Sequence, residues 1–378
     1  MMRRFFKQFF NLLKLTFALL FLGGITYYII DKIQEKNNLM DIEEYSPKST
    51  LIIKETPVLR SKFPFVDVHN HQFDMPVKNL DKLVDEMDDL NMGFMINLSG
   101  YRGLYLRKSL ENIRENAPNR FGLFLNIDFE SIDDADFKEK QVTLIDSAVA
   151  AGVMGLKVYK SLGLTSQDSS GNRIAINDPR LDPVWKACGD NNIPVLIHSG
   201  EPASFWAPKD AFNERWLELR QKPGRYRDPE KNPSFEEVLA EQHAVFKKHP
   251  NTTFINAHLG WMGNDLDRLG THLDIYPNVM TEIGAVLAEL GRQPKRARQF
   301  FIDYQDRILF GKDSYKVSEY YTYFRVLETD DEYFEYYRKR HAHWKMYGLA
   351  LPDSVLQKLY YKNALKLFPA IDQTLFYP

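Results

Sequence analysis

From Phe63 onward, eight short apolar runs alternate with longer amphipathic stretches. The runs are Phe65–His71, Phe94–Leu98, Phe121–Ile127, Val153–Tyr159, Pro194–His198, Thr253–His258, Asn278–Ile283 and Arg307–Asp313. Between them, apolar residues recur at helical spacing over 80–87, 104–115, 137–150, 183–191, 234–248 and 294–304, and a last helix, 352–368, closes the chain. Strand patterns each followed by a helical pattern specify a parallel α/β fold. Eight is the number that closes a barrel around an interior filled with side chains, so the expected fold is a (β/α)8 TIM barrel. The competing arrangement, a doubly wound open sheet, needs a glycine-rich turn after its first strand if it binds a dinucleotide, and none is present. Three connections are long, 160–180, 199–233 and 314–351. Each follows a strand, which puts all three on the catalytic face of a barrel. They carry Trp206, Trp216, Arg225, Tyr226, Tyr320, Tyr321, Tyr323 and Trp344.

The N-terminus is of another kind. Arg3, Arg4, Lys7 and Lys14 precede an uncharged apolar run from Leu15 to Ile30. Counted back to Phe9, with Lys14 reaching to the interface, the run is long enough to span a bilayer. A cleaved signal peptide is the alternative, but no small-x-small site follows the run. The expectation is an uncleaved membrane anchor over 1–32, a tether over 33–62 and a catalytic domain over 63–378. The positive flank then stays in the cytoplasm and the body lies outside it, on the periplasmic face of the inner membrane in a bacterium. The chain of 378 residues has a formal net charge of −2, which gives no nucleic-acid footprint. Cys188 is the only cysteine, so a thiolate metal site and an intrachain disulfide are excluded. No feature of the sequence sets an oligomeric state.

The polar residues at strand ends carry the chemistry. His69 and His71 are one residue apart on an extended strand, so both imidazoles aim at one spot. The fourth run gives Lys157 near its end, and His198 ends the fifth, His258 the sixth and Asp313 the eighth. In a barrel these ends converge on one mouth. Imidazoles with one carboxylate make a site for zinc or a similar divalent ion. His243, His249 and His272 fall in or near helices on the barrel's outside and read as surface residues. His341 and His343 repeat the H-x-H spacing, but in a charged stretch that reads as helical, where residues i and i+2 do not face each other.

Asp67-Val68-His69-Asn70-His71, Pro194–His198, Phe254–Gly260, Leu309–Ser314 and Tyr361-Lys362-Asn363-Ala364 together resemble the amidohydrolase superfamily, in its amidohydrolase-related branch. The resemblance covers roughly 63–368. The usual motif has a smaller residue where Lys312 stands. The resemblance implies a barrel with one or two divalent ions that activate water for hydrolysis; one sub-branch decarboxylates aromatic acids at the same site. It makes His69, His71 and His198 ligands of the main ion, and Asp313 both a ligand and the general base. His258 becomes a second-ion ligand or a donor to a developing oxyanion. Lys157 is either a carbamylated bridge between two ions or a lysine that pairs with Glu201 or a substrate carboxylate. Glu282 is expected to orient an imidazole.

The expected function is hydrolysis of C–N amide or C–O ester and lactone bonds of a small molecule, with zinc as the expected metal. Decarboxylation of an aromatic or unsaturated acid is the alternative. A non-catalytic anchored binding protein is a third reading, and it expects lost ligand positions, whereas all are filled. Arg225 and Arg227 suggest a pocket suited to a carboxylate-bearing or sugar-like substrate.

Overall fold

The computed structural model describes residues 2–37, 39–42 and 44–377. It forms two units, Met1–Ile52 and Ile53–Pro378. Among its described residues, the first contains one helix, α1 (Met2–Asn37). Its Met2–Lys36 span is exposed throughout and is long and apolar enough to cross a membrane.

The second unit is an eight-stranded parallel barrel whose strands follow chain order. Its elements are β1 (Phe65–Asn70), α2 (Leu80–Leu90), β2 (Met92–Asn97), α3 (Gly103–Asn116), β3 (Phe121–Leu125), α4 (Phe137–Ala150), β4 (Gly155–Val158), α5 (Asp182–Asp190) and β5 (Val195–Ile197). After α6 (Trp216–Gln221) come α7 (Phe235–Lys248), β6 (Phe254–Asn256), α8 (Leu266–Ile275), β7 (Val279–Glu282), α9 (Leu287–Gly291), α10 (Pro294–Asp303), β8 (Ile308–Leu309) and α11 (Val317–Glu328). The strands are buried nearly throughout, as parallel strands covered by helices must be. The barrel closes where Val68 N donates to Phe310 O (3.0 Å) and Asp313 N to His69 O (2.6 Å).

Strand β8 is two residues long, not the seven of its apolar run. Past Leu309 the chain leaves the ladder on β7 and is held from other sides. Phe310 N donates to Leu359 O (3.1 Å), and Asn363 Nδ2 donates to Ile308 O (2.8 Å). The closing helix supplies both partners. It runs as α12 (Asp353–Gln357), a π-helical turn (Lys358–Lys362) and α13 (Asn363–Leu367). Such a widened turn leaves carbonyls without an i+4 partner, which suits Leu359 to its role under β8.

Three readings of the sequence need correction. His243 is buried rather than a surface residue, because it sits on the face of α7 that packs against His272 and Tyr276. His249 and His272 are half-buried, and His249 Nε2 lies 3.0 Å from Asp182 Oδ1. The stretch around His341 and His343 is not helical; it is turn and bend. Tyr320 and Tyr323, assigned to a catalytic-face connection, lie on α11 and are fully buried, Tyr320 beside Phe65 and Phe310.

Candidate functional site

All the strand-end residues singled out above lie at the C-terminal ends of their strands. His69 is the last residue but one of β1, where the β1–β2 register shifts between Asp67 and Asn70. Such irregularities re-aim side chains and collect next to active sites. His198 and His258 stand one and two residues past β5 and β6. His258 (φ 58°), Leu259 (φ 55°) and Asp313 (φ 80°) all take left-handed backbone. For residues other than glycine that conformation is strained, and it persists where surrounding structure imposes it. Gly311 meets a different demand. A Cβ there would overlap the Glu282 carboxylate and lie 2.8 Å from the His69 Cβ, so only glycine lets β8 approach β1 this closely.

Hydrogen bonds fix the imidazoles. His69 Nδ1 lies 2.9 Å from Glu282 Oε1, and His258 Nδ1 lies 2.7 Å from Gly284 O. Both partners accept only, so each Nδ1 carries the proton and each Nε2 keeps a bare lone pair. His198 Nδ1 is 3.2 Å from His258 Nε2 and must donate to it, which leaves His198 Nε2 bare as well. His71 Nδ1 is 2.7 Å from Ser99 Oγ, which itself lies 3.1 Å from the Tyr159 hydroxyl. The Nε2 atoms of His69 and His198 are buried and without a hydrogen-bond partner.

Asp313 Oδ1 lies 3.5 Å from His69 Nε2 and 3.6 Å from His71 Nε2. Ligand atoms at about 2.1 Å on a tetrahedral ion stand roughly 3.4 Å apart, so these three have the spacing of ligands around a common centre. A second group, His69, His258 and Glu282, also has its ligand atoms within 4.8 Å of one another. It reads as the frame of the first. Glu282 accepts from His69 Nδ1, His258 N (2.6 Å) and Gly284 N (2.6 Å), which orients an imidazole as the sequence suggests.

Burial, reinforced by the positive charge of Lys157, pushes His69 well below the usual histidine range and His71 down to about 4. Burial, with His258 and Lys157 adding to it, does the same to His198. Burial pushes Asp313 up, but the histidines and Lys157 around it outweigh that and bring it down to about 2. At neutral pH the pocket therefore offers neutral imidazoles and an ionised carboxylate, the forms that bind cations.

Lys157 is 1 % exposed, and its Nζ has no hydrogen-bond partner. Burial lowers it to about 8. The pairing of Lys157 with Glu201 is corrected: Glu201 Oε1 instead takes Lys160 Nζ (2.5 Å) and Arg227 Nη2 (2.9 Å). Arg225 binds Glu218. Both arginines are thus held by carboxylates of their own loop or its base. An open recess of about 640 Å³ adjoins the site, lined by His71, Gln72, Phe73, Lys78, Asp313 and Tyr315. Phe73 stacks on His71, with ring centres 5.5 Å apart and 4° between planes.

Sequence reasoning missed Ser99, Tyr159 and Asp67. The first two stand just past β2 and β4, the same strand-end signal that found the histidines. Asp67 accepts from Tyr320 Oη (2.6 Å), Asn70 Nδ2 (2.8 Å), His69 N (3.1 Å) and Lys312 N (3.1 Å), so it ties β1 to the residue before Asp313.

The amidohydrolase family model matches residues 116–370, more than half of the chain; β1, with His69 and His71, precedes the match. No protein of curated function matches the sequence. Among solved structures, a TIM-barrel protein of Bordetella bronchiseptica is similar at 14 % identity and a TM-score of 0.51, over 81 % of this chain and 98 % of its own. A dihydroxybenzoic acid decarboxylase of Polaromonas, with manganese and the inhibitor 2-nitroresorcinol bound, is similar at 13 % identity and a TM-score of 0.52, over 84 % of this chain and all of its own. At these identities the likeness is one of fold. The family match over α/β barrel sequence and the barrel itself lead to one assignment: the chain belongs to the amidohydrolase family.

Proposed function

We propose that this chain is a metal-dependent hydrolase that cleaves C–N amide or C–O ester and lactone bonds of a small molecule. His69, His71, His198 and Asp313 would hold the ion, with zinc favoured by the nitrogen-rich donor set. The observation that carries the reading is the pair of 3.5 and 3.6 Å separations between Asp313 and two imidazoles whose Nε2 atoms face it. The orphaned Nε2 of His69 fits the same group; that of His198 is also unpartnered, but His198 stands outside the His69, His71 and Asp313 set. When bound, such an ion polarises the substrate oxygen and makes water acidic enough to attack at neutral pH. Asp313 takes the proton that water gives up and returns it to the leaving group. His258, with its Nδ1–H committed to Gly284, has no proton to give a developing oxyanion; its Nε2 lone pair accepts from His198 Nδ1, so it becomes a ligand only if His198 lets go of it. Assay of esters, lactones, amides and aromatic acids, with and without a chelator, tests the proposal. Chelator-sensitive hydrolysis supports it, and hydrolysis indifferent to chelator contradicts it.

One observation favours decarboxylation as a second reading. Lys160 and Arg227 share a single carboxylate, Glu201, and the buried Lys157 has no hydrogen-bond partner. The surplus positive charge suits a substrate carboxylate, and the Polaromonas relative of similar fold is a decarboxylase. Lys157→Ala separates the two. If Lys157 is carbamylated and bridges two ions, the variant loses about one ion per chain and a short carboxylic acid in the buffer partly rescues it. If Lys157 meets the substrate, metal content holds and KM rises instead, measured by metal analysis beside steady-state kinetics.

The α1 helix is proposed to anchor the chain in a membrane with the barrel outside the cytoplasm. Deleting residues 1–35 should release a folded, active and soluble protein, scored by sedimentation and turnover. Failure of the shortened chain to fold contradicts a separable anchor.

A further inference from the structure

Away from the barrel mouth, α7 and α8 bring a second pair of imidazoles together. The rings of His243 and His272 have centres 4.0 Å apart with 38° between planes. This is close to the 4.3 Å between His198 and His258 in the mouth. Tyr276 lies against both rings, stacked on His243 at 5.6 Å and tilted to His272 at 6.2 Å. His243 is 8 % exposed. Its Nε2 is buried with no hydrogen-bond partner, and so is Nδ1 of His272. Leaving a buried polar atom unmatched is costly, and here two such nitrogens belong to neighbouring rings carried by α7 and α8. Burial, the neighbouring ring and Arg268 push His243 down to about 3, and burial also lowers His272. Both rings are therefore neutral at pH 7, the form that ligates metal. The nearest cation is already neutralised: Arg268 on α8 binds both oxygens of Glu236 on α7, at 2.8 and 2.6 Å.

We propose that His243 and His272 form a second divalent-metal site, separate from the barrel mouth, for an ion of the nickel, copper and zinc group. Those ions bind imidazole nitrogen most strongly among the common divalent metals. With metal–nitrogen bonds of about 2.0–2.1 Å, two rings on one tetrahedral ion have centres roughly 5 Å apart. Capture therefore asks the rings to part by about 1 Å, a movement that falls to the half-buried His272 rather than to His243. Solvent completes the coordination. The ion would cross-link the helices that flank β6, so its effect is on stability and not on turnover.

The test uses the full-length protein, stripped of metal and then dialysed against zinc chloride. Zinc per chain and the unfolding temperature are measured for the wild type, for His243→Gln with His272→Gln, and for His69→Gln with His71→Gln. The proposal expects the helix-pair variant to hold one zinc fewer, to lose part of the zinc-induced rise in unfolding temperature, and to keep its turnover. The mouth variant is expected to retain that ion, which separates this site from the one in the barrel. Should the double variant fold poorly, His272→Gln alone, at the half-buried position, gives the same comparison. Equal zinc content and an equal zinc-induced shift in wild type and helix-pair variants overturn the proposal.

Discussion

Replacing Asp313 by asparagine is expected to leave the barrel folded, keep most of the metal, and cut turnover by about 10²–10⁴, the usual range for losing a general acid–base group. Asparagine keeps the shape and one oxygen toward His69 and His71, 3.5 and 3.6 Å away. It removes the basicity. The backbone at this position argues for tolerance too, because asparagine is among the few residues that accept positive φ readily, and Asp313 has φ 80°. Asp313 is ionised across the working range, brought down to about 2 despite burial, so the loss should appear at every pH above that value. Near-normal turnover of Asp313→Asn on a true substrate would move the base to Glu201 or His258.

Glu282→Gln is expected to weaken metal binding by about 10–100-fold, the effect of losing a partner that orients a ligand. Glu282 is fully buried, and its two oxygens accept from three donors: His69 Nδ1, His258 N and Gly284 N. A glutamine amide puts an NH2 where one oxygen stood, so at least one of those donors faces another donor. Each donor left unmatched costs about 1–3 kcal/mol. The close packing of Gly311 against the carboxylate leaves no room to turn the amide away. Metal titration together with thermal unfolding checks this, and unchanged affinity with an unchanged unfolding temperature contradicts it.

The barrel was legible because its signal is a repeated one: eight β-rich runs and the helical stretches between them survive an error of two or three residues at any boundary. Strand β8 shows where that reading fails. Arg307–Asp313 looks like one long strand, yet only Ile308 and Leu309 pair with β7, since Gly311 must be pulled against Glu282 and His69. The strand-end histidines and Asp313 were legible for the same periodic reason. Their partners were not. That Gly284 O sets the tautomer of His258, or that Ser99 holds His71, follows from contacts between strands far apart in sequence. Charge pairing failed most often. Glu201 is taken by Lys160 and Arg227, from the connection after β4 and from its own loop, while Lys157 has no hydrogen-bond partner; loop geometry decides this, not spacing in the sequence. His243 was misplaced because α7 shows apolar spacing with the histidine on the flank of the stripe, where one neighbouring helix decides between burial and exposure.

The central claim is that His69, His71 and Asp313 hold a metal ion on which turnover depends. The most direct measurement is tightly held metal per chain, after dialysis without chelator, in the wild type and in His69→Ala with His71→Ala, with turnover measured on the same samples. The account expects one or two divalent ions in the wild type, at least one of them lost in the variant, and turnover lost with it. A wild-type protein that turns over fully without metal, or a variant that keeps both its ions and its activity, would contradict it.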